Sequence, residues 1–444
     1  MNADEAPTGV FIKTFGCQMN EYDSFRILKM LEAHGYAHVK TYDSADLILL
    51  NTCTVRQKAE DKAYSELGRL KKIKLKNSRL IIGVGGCLAQ QEGERIIKRF
   101  PYVDLVFGTH AFDRLPHLIK QVEKGNKVID IAFKERPYMY PLRTYTPDRK
   151  RISAFVTIMQ GCNNFCSYCI VPYVRGREFS RPPNEIVDEI MCLADTGVKE
   201  VTLLGQNVNS YGNTFPLPIS FSELLFSINA IEGIERIRFV TSHPKDLSRE
   251  LIQAVKSLEK VCEHIHLPLQ SGSDTILKKM NRGYTREQYR DKIDMMRSHV
   301  PGIAVTSDII VGFPGETDDD FMQTYNLVKE ICFDDLFIFH YTDRTGTKAS
   351  RLNGTISYET KINRLRILNE MQRDISLANN KKLVGKDVSV LFEGKSKRGT
   401  ETMAGRTRSN LVVNCTGPVG LLGKTVQVKI KKANIHSLTG CLEQ

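Results

Sequence analysis

Long hydrophobic runs are missing from this sequence. No apolar stretch reaches the roughly 18 residues that a membrane-spanning helix needs, so a helical membrane protein is excluded and no membrane partner is expected. The first ten residues, MNADEAPTGV, carry two acids and lack the apolar core of an export signal, so a cytoplasmic location is expected. Compositional bias is missing too: 41% hydrophobic and 26% charged residues are the values of a folded chain. The histidines show no pairing that suggests zinc. What is there is length and cysteine. A chain of 444 residues exceeds one ordinary core, so two or three domains are expected. Eleven cysteines in a reducing compartment point to metal or redox chemistry and not to a disulfide framework.

The formal charge of +12 suits a polyanionic partner, and its distribution is uneven. Residues 380–444 hold twelve Lys and Arg against four Asp and Glu, so two-thirds of the excess sits in the last 65 residues. A terminal excess this concentrated favours nucleic acid.

One pattern occurs three times near the N-terminus. VFIKTFGC, DLILLNTC and RLIIGVGGC are strand-like runs that each end in cysteine, at Cys17, Cys53 and Cys87. The segments between them, NEYDSFRILKMLEAHG and QKAEDKAYSELGRLKK, have helical apolar spacing. Strand–helix–strand units imply a parallel sheet, whose functional crevice lies beyond the carboxyl ends of the strands. The three cysteines, 36 and 34 residues apart, are therefore expected at one site. A basic stretch without periodicity, KERPYMYPLRTYTPDRKR, reads as a linker. The middle of the chain then alternates strands (AFVTIMQ, EVTLLGQN, RIRFVTSH, HIHLPLQS, VTSDIIVGF, LFIFHYT) with helices, which predicts a partial (β/α)6 barrel. Past a helix around KINRLRILNEMQRDISLANN, short Gly-separated β runs predict a small antiparallel barrel of the oligonucleotide-binding type. The expected divisions are 9–126, a linker at 127–147, a core at 148–379 and the small barrel at 380–443.

GCNNFCSYC supplies Cys162, Cys166 and Cys169 and then stops. A zinc ribbon would add a second Cys-x-x-Cys knuckle, and none follows. Three thiolates suit a [4Fe–4S] cube with one iron left open. Such an iron can chelate the amino and carboxylate groups of S-adenosylmethionine, and a reduced cluster can cleave the sulfonium to a 5′-deoxyadenosyl radical. CNNFCSYC resembles the CxxxCxxC signature of radical S-adenosylmethionine enzymes, and the resemblance implies that Tyr168 packs beside the cosubstrate adenine. For Cys17, Cys53 and Cys87 the plain reading is buried small hydrophobes. Their equivalent strand ends and Gly/Asn-rich turns favour a second open cube instead.

Together these features resemble the methylthiotransferase family, over essentially the whole chain. The likeness rests on KTFGCQMNEYDS, NTCTVRQKAEDKAYSELGRL, GGCLAQQEGE, VPYVRGREFSRP, HLPLQSGSD, DIIVGFPGET and GRTRSNLVVN. YTDRTGTKAS departs from the family pattern by losing prolines, so a less rigid loop is expected there. The resemblance implies an N-terminal domain with an auxiliary [4Fe–4S] cluster, a radical core and a C-terminal RNA-binding barrel of the TRAM type. It also implies two uses of S-adenosylmethionine, as methyl donor and as radical source. The product would be a methylthio group on carbon 2 of N6-isopentenyladenosine at position 37, in the anticodon arm of tRNA. A flavodoxin-like electron donor, an iron–sulfur or sulfur donor and a monomeric state complete the expectation. The rivals are a sister enzyme acting on threonylcarbamoyladenosine or a ribosomal-protein aspartate, and a non-catalytic iron–sulfur RNA-binding redox sensor.

Other site residues follow from position. Gln206, Ser242, Gln270, Ser271 and Asp308 lie at strand ends facing the cluster and are expected at S-adenosylmethionine. Lys397, Arg406 and Arg408 are expected at RNA phosphates. Arg175 and Arg177 are expected at RNA phosphate or cosubstrate carboxylate. Asn20 and Asp23, beside Cys17, would cap the following helix.

Overall fold

The computed structural model describes residues 8–55, 57–134, 151–396 and 402–442. The chain divides into two compact units. The first is drawn from Met1–Tyr145, Met159–Asn163 and Ile170–Arg181, the second from Thr146–Ile158, Asn164–Cys169 and Pro182–Gln444.

In the first unit, six strands form one sheet: β1 (Gly9–Phe15), β2 (Ala37–His38), β3 (Leu47–Thr52), β4 (Ile81–Gly86), β5 (Leu105–Phe107) and β6 (Val128–Asp130). Their order is β2-β1-β3-β4-β5-β6, and every pair runs parallel. β3, LILLNT, is buried along its whole length, as a central parallel strand covered on both faces must be. Leu47 and Leu49 face a core with Ile27 and Leu31 of helix α1 (Gln18–Ala33). Ile48 and Leu50 face the opposite core, with Leu67 and Leu70 of helix α2 (Gln57–Lys76). β6 lies inside the stretch expected to be a linker; its pairing with β5 covers what would otherwise be an open edge.

The second unit contains six parallel barrel strands, Ser153–Thr157, Glu200–Leu204, Arg236–Phe239, His264–His266, Ala304–Val311 and Asp335–His340. They form two three-stranded halves, linked by a single bridge between Ile237 and Val261. Among the described residues no ladder joins the last strand back to the first, so the barrel is partial. Along Ala304–Val311, residues 305, 307, 309 and 311 are buried, while Thr306, Asp308 and Ile310 on the other face are only half-buried.

The C-terminal strands Asp387–Lys395, Thr402–Thr407, Val412–Thr416, Thr425–Ala433 and Ser437–Leu442 close a five-stranded barrel around Val390, Phe392, Val413, Val428, Ile430 and Leu438. The expected antiparallel pattern holds for every pair except Val412–Thr416 with Ser437–Leu442, which is parallel. An odd number of strands in a closed ring cannot all alternate direction, so one parallel pair is unavoidable. This barrel is clamped to the core strand Arg236–Phe239. Arg236 donates to the carbonyl oxygens of Arg406 and Ser389, and Arg238 to those of Arg408 and Thr407.

Candidate active site

β1, β3 and β4 are neighbours, so the turns that follow them adjoin. Cys17 is the N-cap of α1, Cys53 follows β3 directly, and Cys87 opens the short helix α3 (Cys87–Glu92). Close approach of these turns depends on glycine. A Cβ at Gly16 would lie 2.6 Å from the Cys53 Cβ, and one at Gly86 would lie 2.5 Å from the Thr52 carbonyl oxygen. Side-chain hydrogen bonds then tie the turns together. Asn20 accepts from the Cys17 backbone and thiol, both at 3.3 Å, and donates to Asn51. Asn51 donates to the Asn20 carbonyl and to Ser24, and Thr52 donates to the Gly85 carbonyl on β4. Asn20 thus caps its helix, as expected, and also fixes the second turn.

The three thiols differ electrostatically. A hydrogen bond from Cys53 draws the Cys17 thiol down to about 6 against the cost of burial, with the Arg175 charge helping. Cys53 is pushed up as the donor in that bond and by burial, and Cys87 is pushed up mainly by burial. Arg175 is only 3% exposed. Its Nη2 meets Asp23 Oδ2 at 2.6 Å, while its buried Nη1 has no hydrogen-bond partner among the described residues. Burial opposes its charge, but Asp23, Cys87 and Cys17 outweigh that and hold it cationic. Arg175, expected at RNA phosphate or cosubstrate carboxylate, is buried beside the thiols and paired with Asp23. Asp23, expected only as a cap, is its partner. Arg177, two residues on, is exposed.

Three adjoining thiols beside a buried cation suit thiophilic iron carrying net negative charge. Among the described residues no three His, Cys, Asp or Glu side chains surround a point as one metal ion would require. An iron–sulfur cube makes a different demand, with its thiolates spread over separate corners.

The second cysteine set lies in the loop after the first barrel strand, and all three are half-buried. The Cys169 N–H donates to the Cys166 carbonyl at 3.0 Å, closing a tight turn. Ser167 is pinned from both sides, donating to Met280 and Lys279 carbonyls and accepting from the Ala349 N–H. Phe165 is forced to φ 46°, and four further non-glycine residues in the loops of this barrel (Thr241, Gln270, Asn281 and Cys332) also have left-handed backbone. Such conformations cost about 1–3 kcal/mol each and collect at functional sites.

Arg282 is the residue that sequence reasoning missed. It is 4% exposed and donates to Cys166 Sγ at 3.3 Å, to Tyr284 and to the Pro268 carbonyl, and its Nη1 lies 3.4 Å from the Tyr168 hydroxyl. In NRGYT it reads as one more turn residue, with no local signal that aims it at a cysteine 116 positions away. Tyr168 packs with Ile310 against the cluster of Ile276, Met280, Phe313, Tyr341 and Ala349.

The residues expected at the cosubstrate divide. Ser242 Oγ and Gln270 Oε1 are buried without a hydrogen-bond partner among the described residues, so both are available to a ligand. Gln206 is half-buried. Asp308 faces the barrel interior, 3.4 Å from His266 Nε2. Ser271 is fully buried, and its hydroxyl meets Thr324 and accepts from the Ser273 N–H.

Lys397 lies outside the described residues. Arg408 donates through Nε and Nη2 to Glu263, both at 2.7 Å, and to the Val261 carbonyl. Arg406 meets Glu393 at 3.4 Å and Asn410 at 3.1 Å. These arginines carry internal contacts and lie where the small barrel meets the core. Lys386, Lys424, Lys431 and Lys432 are exposed, the last pair because a bulge between Ile430 and Lys432 breaks the alternation.

Comparison with known proteins agrees with this architecture. Residues 9–108 match the Uncharacterized protein family UPF0004, residues 156–328 the Radical SAM superfamily and residues 381–442 the TRAM domain. The tRNA-2-methylthio-N(6)-dimethylallyladenosine synthase of Syntrophus aciditrophicus is 51% identical over 433 residues, covering 97% of this chain and 94% of that one. The protein of the same name from Geobacter metallireducens is 49% identical over 97% of both. Among solved structures, the radical S-adenosylmethionine methyltransferase TsrM from Kitasatospora setae aligns with a TM-score of 0.57. At 15% identity over 78% of this chain and 74% of that one, it speaks for the fold alone.

Proposed function

The chain belongs to the family of the tRNA-2-methylthio-N(6)-dimethylallyladenosine synthases, and on that footing we propose that it places a methylthio group on carbon 2 of N6-isopentenyladenosine in tRNA, at position 37. Likeness to the named synthases over 97% of the chain carries this reading. The hydrogen on carbon 2 has no useful acidity, so acid–base catalysis is a poor route. Cys162, Cys166 and Cys169 would hold one iron–sulfur cluster and Cys17, Cys53 and Cys87 a second, supplying with S-adenosylmethionine the radical and the sulfur respectively.

The chain's own residues then orient and shield. Arg282 donates an N–H to the Cys166 sulfur, and hydrogen bonds of this kind tune a cluster's potential. Ser242 Oγ and Gln270 Oε1 offer polar contacts to the cosubstrate. Arg175 places a permanent positive charge against Cys17 and Cys87. Phosphates of the anticodon arm fall to the exposed lysines of the C-terminal barrel, Lys386, Lys424, Lys431 and Lys432. Position 37 lies in a single-stranded loop, where a base swings out more cheaply than from a duplex. The domain limits 9–126, 148–379 and 380–443, a monomeric state, a flavodoxin-like reductant and an iron–sulfur or sulfur donor belong to the same proposal.

Mass spectrometry of tRNA nucleosides from a deletion strain tests it. Loss of the methylthio group from isopentenyladenosine is the expected result. Loss from threonylcarbamoyladenosine, or from a ribosomal-protein aspartate, would assign the chain to a sister activity. In anaerobically reconstituted protein, Cys166→Ala should abolish release of 5′-deoxyadenosine. Cys53→Ala should retain some release yet form no methylthiolated product.

A further inference from the structure

The last barrel strand, Asp335–His340, carries two large apolar side chains that stay exposed among the described residues. Phe337 is 47% exposed and Phe339 40%, while Leu336, pointing the other way, is 7% exposed. Single exposed hydrophobic residues are ordinary on protein surfaces. These two share one face of one strand. The pairing of parallel strands puts Asp308 beside Phe337 and Ile310 beside Phe339, so both rings stand on the less buried face of the sheet, with Thr306, Asp308 and Ile310. The opposite face of the neighbouring strand is the buried one, carrying Val305, Ser307, Ile309 and Val311. The rings therefore line the inside of the partial barrel.

Their surroundings narrow what could lie on them. At one end the His266 ring stands 5.9 Å from Phe337 at 65°, and its Nε2 is 3.4 Å from Asp308. That end offers a hydrogen-bond donor and an acceptor. At the other end Ile310 packs against the same cluster as Tyr168, the neighbour of Cys169. An apolar strip thus runs from Phe337 through Phe339 and Ile310 toward the cysteine loop. The concave wall of a barrel does not suit the flat surface of a second protein. It does suit one extruded base: an aromatic face for stacking, an apolar strip for a hydrocarbon substituent, and a polar pair for the base edge.

We propose that Phe337 and Phe339 are the substrate-base subsite, stacking on the adenine of the extruded nucleotide and packing against its N6-dimethylallyl group. The proposal rests on the reading of the chain as a methylthiotransferase of prenylated adenosine in tRNA, and it names the residues that select the prenylated base. They act in binding and specificity; no electron or proton passes through them.

The test uses anaerobically reconstituted full-length protein and two synthetic anticodon stem–loops, identical except that one carries N6-isopentenyladenosine and the other adenosine. Fluorescence anisotropy gives the affinity for each. Wild type should favour the prenylated RNA. Phe337→Ala and Phe339→Ala should each weaken binding of the prenylated RNA by about tenfold, the worth of one base–aromatic stack. The double variant should bind both RNAs nearly alike. Phe339→Leu, which keeps apolar contact but not the ring, should fall between wild type and Phe339→Ala. Unchanged discrimination in the double variant overturns the subsite. So does a tenfold loss of affinity for S-adenosylmethionine with RNA discrimination intact, which would give the rings to the cosubstrate adenine. Turnover separates this outcome from failure of the underlying reading. If wild type forms methylthiolated product while the variants keep discrimination, only the subsite falls. If wild type forms no such product from the prenylated RNA, the functional assignment falls with it.

Discussion

Replacing Asp23 by Asn would leave the Arg175 guanidinium buried without its carboxylate. The two side chains are 6% and 4% exposed and meet at 2.6 Å, so water screens little of their attraction. Removing one member of such a pair costs about 3–5 kcal/mol, because the remaining charge cannot be solvated. For a unit of this size, 1 kcal/mol moves the midpoint of thermal unfolding by about 2–4 °C, so the transition of the N-terminal unit should fall by about 6–20 °C. Arg175→Met should cost a similar amount by stranding Asp23. The double variant Asp23→Leu/Arg175→Met buries no charge at all and should recover most of the loss. Anaerobic calorimetry of cluster-free protein measures the whole cycle, and omitting iron keeps ligand loss out of the comparison. Single variants that shift the midpoint by less than about 2 °C, or a double variant that merely sums the two losses, would refute the argument that this charge is buried and held chiefly by Asp23.

Three further outcomes can be checked. Arg282→Met removes a charge-assisted donor to the Cys166 sulfur, so the potential of a cluster held there should fall by up to about 60–130 mV, read by redox titration with paramagnetic resonance. Burial alone would raise the Glu263 carboxyl, but Arg408 outweighs it and holds the group below the ordinary range. The stability this pair adds is therefore full above the unfolded value of about 4.3 and is lost as pH falls through the lower folded value. Urea denaturation of wild type and Arg408→Met should differ by about 1 kcal/mol at neutral pH, and the two should converge in acid. Lys431→Gln/Lys432→Gln should reduce the dependence of log affinity for tRNA on log salt by about 1.4–1.8, the contribution of two phosphate contacts. An unchanged slope would place the phosphates elsewhere.

Periodicity and spacing were enough for the architecture. Three apolar runs ending in cysteine dictate parallel strands with thiols at their carboxyl ends, because a run buried on both faces has few other places to go. The loop GCNNFCSYC is equally local, and so are the six barrel strands. Contacts made by long, charged side chains depend instead on chain segments far apart in sequence, and only the tertiary structure decided them. Arg175 and Arg408 look like phosphate ligands in one dimension, yet Asp23 and Glu263 meet them across 152 and 145 positions. Arg282 reaches Cys166, and Phe337 stands beside Asp308, for the same reason. Backbone pattern is set by neighbours a few residues away, whereas the partner of a side chain is set by whichever elements the fold brings together.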